Sequence, residues 1–256
     1  MLKLMKYEFI HSMRSFLISF CVFWGACLLL PLFSEGIIPD IPLLTFMVAF
    51  GFTVLIMGIS LALVISIFTH YYHSMFKRPA YLTLTLPVSS LQLITSKLIV
   101  SFVWLILGGM ALLFGILLMG IEVSLLSPQL SLMEIIKQMP DFFNELWALI
   151  SYDVSWVMGQ LLYMGLGVYF LIISIYFSLT AAHTGVVRHH RVALSVCIWI
   201  VLEIALSYMK LLILEFPVVS LYIAQIPLSH YLLVLICDIA LTFGTVFILD
   251  HCIEIE

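Results

Sequence analysis

Residues 98–120 read LIVSFVWLILGGMALLFGILLMG, and no charged side chain interrupts them. As a helix at ~1.5 Å per residue the stretch is about 35 Å long, enough to cross a hydrocarbon core of ~30 Å. It is too long for a strand and too uniformly apolar for a surface helix with one wet face. Working outward from it, the other apolar runs bounded by polar breaks fall at about 15–33, 43–69, 148–180, 193–214 and 231–249. The expectation is an all-α integral membrane protein with six transmembrane helices in one domain, residues 1–256.

Composition agrees. Of 256 residues, 64% are hydrophobic and only 9% charged, against about 25% charged in an ordinary soluble domain. Six spans of ~20 residues take roughly half of such a chain, so the loops leave no room for a soluble catalytic domain. The same figures exclude disorder. A net charge of −4 argues against nucleic acid as a partner, because that surface needs a basic face. The five cysteines, Cys21, Cys27, Cys197, Cys237 and Cys252, show neither metal-type spacing nor a disulfide framework.

Basic residues orient the spans. With both termini cytoplasmic, Lys3, Lys6, Arg14, Lys77, Arg78, Lys97, Arg188 and Arg191 fall inside, eight of the ten present. Lys137 and Lys210 lie on or near the outer side. Glu35, Asp40, Glu122, Glu134, Asp141, Glu145, Asp153 and Glu215 face outward.

The connections carry their own signals. In residues 1–14, MLKLMKYEFIHSMR, Leu2, Met5, Phe9 and Met13 recur at helical spacing with the lysines off that stripe. This is the pattern of an N-terminal amphipathic interface helix on an anionic leaflet; a cytoplasmic extension of span one is the alternative. In residues 70–97 Pro87 breaks a helix, and Ser89 with Gln92 makes a capping box, so a new helix starts at Ser89. Upstream, Ser74–Leu86 reads as a short cytoplasmic element. On the outer side, Ser131 and Glu134 predict a short amphipathic helix that Pro140 ends, and Asp141 starts a helix leading into span four. HTGVVRHHR, residues 183–191, is a cytoplasmic turn. EFPVVSLYIAQIPLSH, residues 215–230, is too apolar for a wet loop and too short to span and return. It predicts a re-entrant or interfacial pair of short helices. Ala111/Gly115 and Gly58/Ala62 are small-residue pairs that let helices approach closely.

No P-loop, zincin, nucleophile-elbow or zinc-ribbon pattern occurs. Energy from a nucleotide must therefore come from another polypeptide. His70 and His73 on one cytoplasmic loop and His183, His189 and His190 on the other invite a metal reading. No carboxylate or cysteine accompanies them, and histidines at headgroup level are the plainer account. No metal site is assigned. Glu203, Lys210 and Asp238 are charges inside spans five and six, where charge is costly and implies pairing or function. Their depths predict a Lys210–Asp238 ion pair, with Glu203 left over.

The run KRPAYLTLTLPVSSLQLITSK, residues 77–97, resembles the first cytoplasmic loop of ABC-2-type permeases, the membrane subunits of bacterial ATP-binding-cassette exporters. Tyr81, Leu84, Thr85, Leu86, Pro87, Val88, Ser89 and Lys97 stand at the matching places. The basic N-terminal helix, six spans and apolar outer hairpin before span six are similar to that family in layout. The resemblance implies that Ser74–Leu86 is a coupling helix docking an ATPase subunit through His73, Lys77, Arg78, Tyr81 and Pro87. It also implies two permeases, copies or paralogues, meeting through spans one and five with two ATPases. ATP and magnesium would sit on the partner, with no cofactor and no catalytic residue in this chain. The bacterial cell membrane is the implied location, and a peptide or amphipathic antimicrobial compound the implied substrate. Two other readings stay open: a proton-coupled secondary transporter using Glu203 and Asp238, and a membrane-embedded enzyme using the histidine cluster.

Overall fold

A computed structural model describes residues 2–35, 42–77, 89–126, 153–184, 190–215 and 222–251, with isolated positions between 137 and 151. Six long helices carry nearly all of them: α1 Leu2–Glu35, α2 Pro42–Phe76, α3 Ser90–Leu126, α4 Val154–Ala182, α5 Arg191–Glu215 and α6 Leu228–His251. Each contains a segment long and apolar enough to cross a membrane, the shortest having 23 residues. Even that one measures about 34 Å against a ~30 Å core. Large side chains such as Met57, Leu61, Met164, Val201, Phe243 and Phe247 are 62% to 67% exposed. Such a surface is compatible with lipid and not with water.

Helix starts follow local chemistry. Pro42 opens α2, at the position where its missing N–H is not needed. Ser89 caps α3 as expected: its Oγ accepts the Gln92 amide at 3.4 Å and its carbonyl accepts Leu93 at 3.1 Å. Asp153 caps α4 by accepting the Trp156 amide at 3.0 Å and the Ser155 hydroxyl at 2.6 Å. The Ser155 hydroxyl first, and then the Trp156 amide, hold the exposed Asp153 carboxyl below its usual value.

Several expectations are corrected. Span four does not run from 148, because the Asp153 cap begins a fresh helix at Val154. Of the two readings of the N-terminal segment, the structure shows the extension of span one, residues 2–14 being the first turns of one uninterrupted α1. The buried face of α1 is Glu8, Ser12, Phe16, Phe20, Phe23 and Cys27, while Met13 of the expected stripe is exposed. A polar pair at Glu8 and Ser12 outweighs the apolar stripe because each finds a buried partner. Ser74 belongs to the last turn of α2, which continues to Phe76. Residues 78–88 lie outside the described residues, and so does most of the outer helix expected at 131–139. Lys137, Pro140 and Asp141 are helical and exposed.

In place of paired short helices, residues 222–227 form a tight antiparallel hairpin, β1 Tyr222–Ile223 and β2 Ile226–Pro227. Its turn residues, Ala224 and Gln225, have φ of 51° and 65°. Two successive left-handed residues make the turn that matches strand twist. The hairpin lies against Gly159 of α4, where a Cβ would come within 2.5 Å of the Ala224 Cβ. Gln160 donates its Nε2–H to the Ala224 carbonyl at 3.1 Å, and the Tyr231 hydroxyl stands 3.2 Å from the Ile223 carbonyl. The turn is held by α4, while Tyr222 and Ile223 themselves are exposed.

The chain divides into two compact units. The unit of Phe9–Ser66 and Val103–Ser151 has an aromatic core. There the Trp104 indole of α3 is stacked between Phe9 and Phe16 of α1, each at 4.7 Å, and donates to Ser12 Oγ at 2.8 Å. Gly115 meets Phe23 and Cys27, so one of the two small-residue pairs does serve close approach. Gly58 has open space beside it. The other unit comprises Met1–Glu8, Ile67–Phe102 and Tyr152–Glu256. In it α4 packs with α5 and α6 around Phe170, Leu206 and Val234.

Candidate functional site

Four helix ends meet within the second of these units: the start of α1, the end of α2, the start of α3 and the end of α4. Lys97 of α3 is the centre. Its ammonium donates to Glu8 Oε1 at 2.5 Å and to Ser74 Oγ at 2.8 Å, and its side chain is fully buried. Ser74 passes its own proton to the Tyr71 carbonyl at 3.1 Å, so its hydroxyl is used as acceptor and donor. The other Glu8 oxygen lies 3.5 Å from His70 Nε2. Both carboxylate oxygens thus have a nitrogen partner, which is what makes a buried acid tolerable.

A second polar set adjoins it. Tyr176 of α4 pairs with Ser101 at 2.7 Å and lies 3.3 Å from the Lys97 carbonyl. Its ring stacks on Tyr71 at 3.9 Å. Further along α4, His183 stacks on Phe76 at 4.0 Å and holds its Nδ1 2.7 Å from the Leu179 carbonyl. At the beginning of α3, Ser90 donates to the Asp250 carboxylate of α6. Lys97, Tyr176 and Ser90 each reach a polar group on another helix, while Ser74 and His183 also bond carbonyls of their own helices. The arrangement can fix the register of four helix ends.

The expected docking residues are placed in part. His73 and Lys77 are exposed at the end of α2, with Lys77 Nζ 3.2 Å from His73 Nε2 and over the Tyr72 ring. Arg78, Tyr81 and Pro87 lie outside the described residues. The histidines disperse into separate roles: His70 toward Glu8, His73 toward Lys77, His183 on Phe76. Among the described residues no three metal-type ligands gather. His189 is not described.

The intramembrane charges are not paired as expected. Among the described residues, no ion pair within 4 Å joins Lys210 to Asp238. The Lys210 ammonium instead sits 5.4 Å over the Tyr163 ring, and both Asp238 oxygens are buried without a hydrogen-bond partner. Glu203, expected to be the odd group, accepts the Ser174 hydroxyl at 3.2 Å. Depth along each span made a pair geometrically possible. It could not say which way the long lysine side chain turns, and an aromatic face competes with a carboxylate for it.

Glu8 is the residue that reading the sequence missed. It is the one acid in residues 1–14, and it stands four residues before Ser12 on the face away from the lysines. An acid there together with a lysine inside an apolar helix, Lys97, was the available signal. Compared with family models, curated proteins and solved structures, the chain matches none of them.

Proposed function

We propose that this chain is the membrane-spanning permease subunit of an ATP-driven exporter of the ABC-2 type, working as a pair and docking a separate ATPase at residues 74–87. The observation that carries this reading is the burial of Lys97, the residue that closes the motif of residues 77–97, in a bond to Glu8 and Ser74. A lysine so placed mounts the helix after the docking segment on the start of α1 and the end of α2. Force applied to the segment would then reach three helices rather than one hinge. The sequence carries no P-loop, which supports a reading in which ATP and magnesium sit on the partner. The implied substrate is a peptide or amphipathic antimicrobial compound, and the implied location a bacterial cell membrane with both termini inside.

The test is export in the native host. Short docking helices concentrate binding in a few aromatic and arginine anchors. Arg78→Glu and Tyr81→Ala should each cut transport several-fold at unchanged permease abundance, and should release a co-purifying P-loop ATPase. Normal export by both variants, with the complex intact, would end the reading. So would ATP hydrolysis by the purified chain alone.

A further inference from the structure

Asp238, in α6, is 4% exposed, and among the described residues neither carboxylate oxygen has a hydrogen-bond partner. Glu203, in α5, is differently provided. It is partly buried, accepts from Ser174, and lines a groove of about 410 Å³ with Ser207 and Tyr208. Lys210, seven residues beyond Glu203 on α5, is the one lysine that α5 and α6 carry. Two carboxylates therefore share one ammonium inside helices that read as membrane spans.

In a medium of low dielectric constant an uncompensated charge is the costliest arrangement, and a neutral total is favoured. One lysine and two acids are neutral only when one proton is held between the acids. Its position follows from the partners. A hydroxyl donor and an open groove both favour the ionised form of Glu203. Asp238 has neither, so the proton belongs on Asp238.

We propose that Asp238 holds a proton within the membrane, and that Glu203, Lys210 and Asp238 form a proton-binding site among α4, α5 and α6. One proton enters or leaves the Asp238 carboxyl. When it leaves, the three groups carry one net negative charge, which the Lys210 ammonium offsets only in part by turning from the Tyr163 ring toward Asp238. Among the described residues the surrounding titratable groups are Lys210 from α5, Cys237 beside Asp238 on α6, and Tyr163 and Tyr169 from α4. Thr242 donates to the Asp238 carbonyl at 2.7 Å, so the Tyr169 hydroxyl donates to Thr242 at 3.0 Å. Neither hydroxyl is left to serve the carboxyl. The site does not rest on the export reading, since it would exist whether transport draws on ATP or on a gradient.

Infrared difference spectroscopy of the purified chain in phospholipid vesicles tests the site without any partner protein. At neutral pH the native chain should show a protonated carboxylic acid band that moves on carboxyl-labelling of aspartate and stays put on labelling of glutamate. The band should vanish in Asp238→Asn and persist in Lys210→Met. No such band, a band that moves with glutamate labelling, or one that survives Asp238→Asn would overturn the proposal. The labelling arm needs no substitution, so it decides the matter even where a variant fails to fold.

Discussion

Replacing Lys97 by Met and Glu8 by Leu, singly and together, probes the charged junction directly. The Lys97 side chain is fully buried and that of Glu8 is 9% exposed, so each single change strands a charge away from water. Breaking a buried pair from one side costs about 3–5 kcal/mol. At 1.4 kcal/mol per tenfold, that is a loss of roughly a hundred- to several-thousand-fold in the folded ratio. The two singles should differ. In Lys97→Met the Glu8 carboxylate still has His70 at 3.5 Å, so its loss should be near 3 kcal/mol, the lower end of that range. In Glu8→Leu the ammonium retains the Ser74 hydroxyl but no carboxylate, and the loss should approach about 5 kcal/mol. The double variant removes both charges and leaves side chains of similar volume, a change that is often neutral or stabilising. It should return to within about 1 kcal/mol of the native chain, giving a large coupling energy. The assay is a denaturing-detergent titration in micelles followed by circular dichroism. Losses that add to within about 0.5 kcal/mol would refute the reasoning, because independent sites behave that way and a buried pair does not.

Three further outcomes are expected. Gly159→Ala should destabilise by about 1–3 kcal/mol through overpacking against Ala224 and Ile223, while Gln225→Gly should stabilise by about 1 kcal/mol by relieving a left-handed residue; the same titration reads both, and a neutral Gly159→Ala would show that the hairpin does not lie on α4. Because the Asp153 carboxyl is held below its ordinary value, its capping contribution is complete above about pH 4 and lost as pH falls through the lowered folded value. Amide exchange at Trp156 should therefore quicken at acid pH in the native chain beyond the intrinsic trend, and Asp153→Asn should abolish that extra step.

Apolar length and the scarcity of charge were enough, by themselves, to place six helices. The reason is that lipid demands satisfied backbone groups over ~20 residues, a constraint written in every span. The start of α3 was equally legible, since Ser89 acts on an amide three residues away. Chain-local chemistry of this kind does not depend on the rest of the molecule. The Asp153 cap was as local, yet it was passed over because the apolar run through 148–180 hid the break. Partner choice was of another kind. Glu8 meets Lys97 across 89 residues of sequence, Lys210 prefers an aromatic ring to the carboxylate expected for it, and residues 222–227 turn as a hairpin because Gly159 leaves room. Each depends on which helix face lies opposite and how far a side chain reaches. Spacing along one helix carries no record of that; only the tertiary structure decided it.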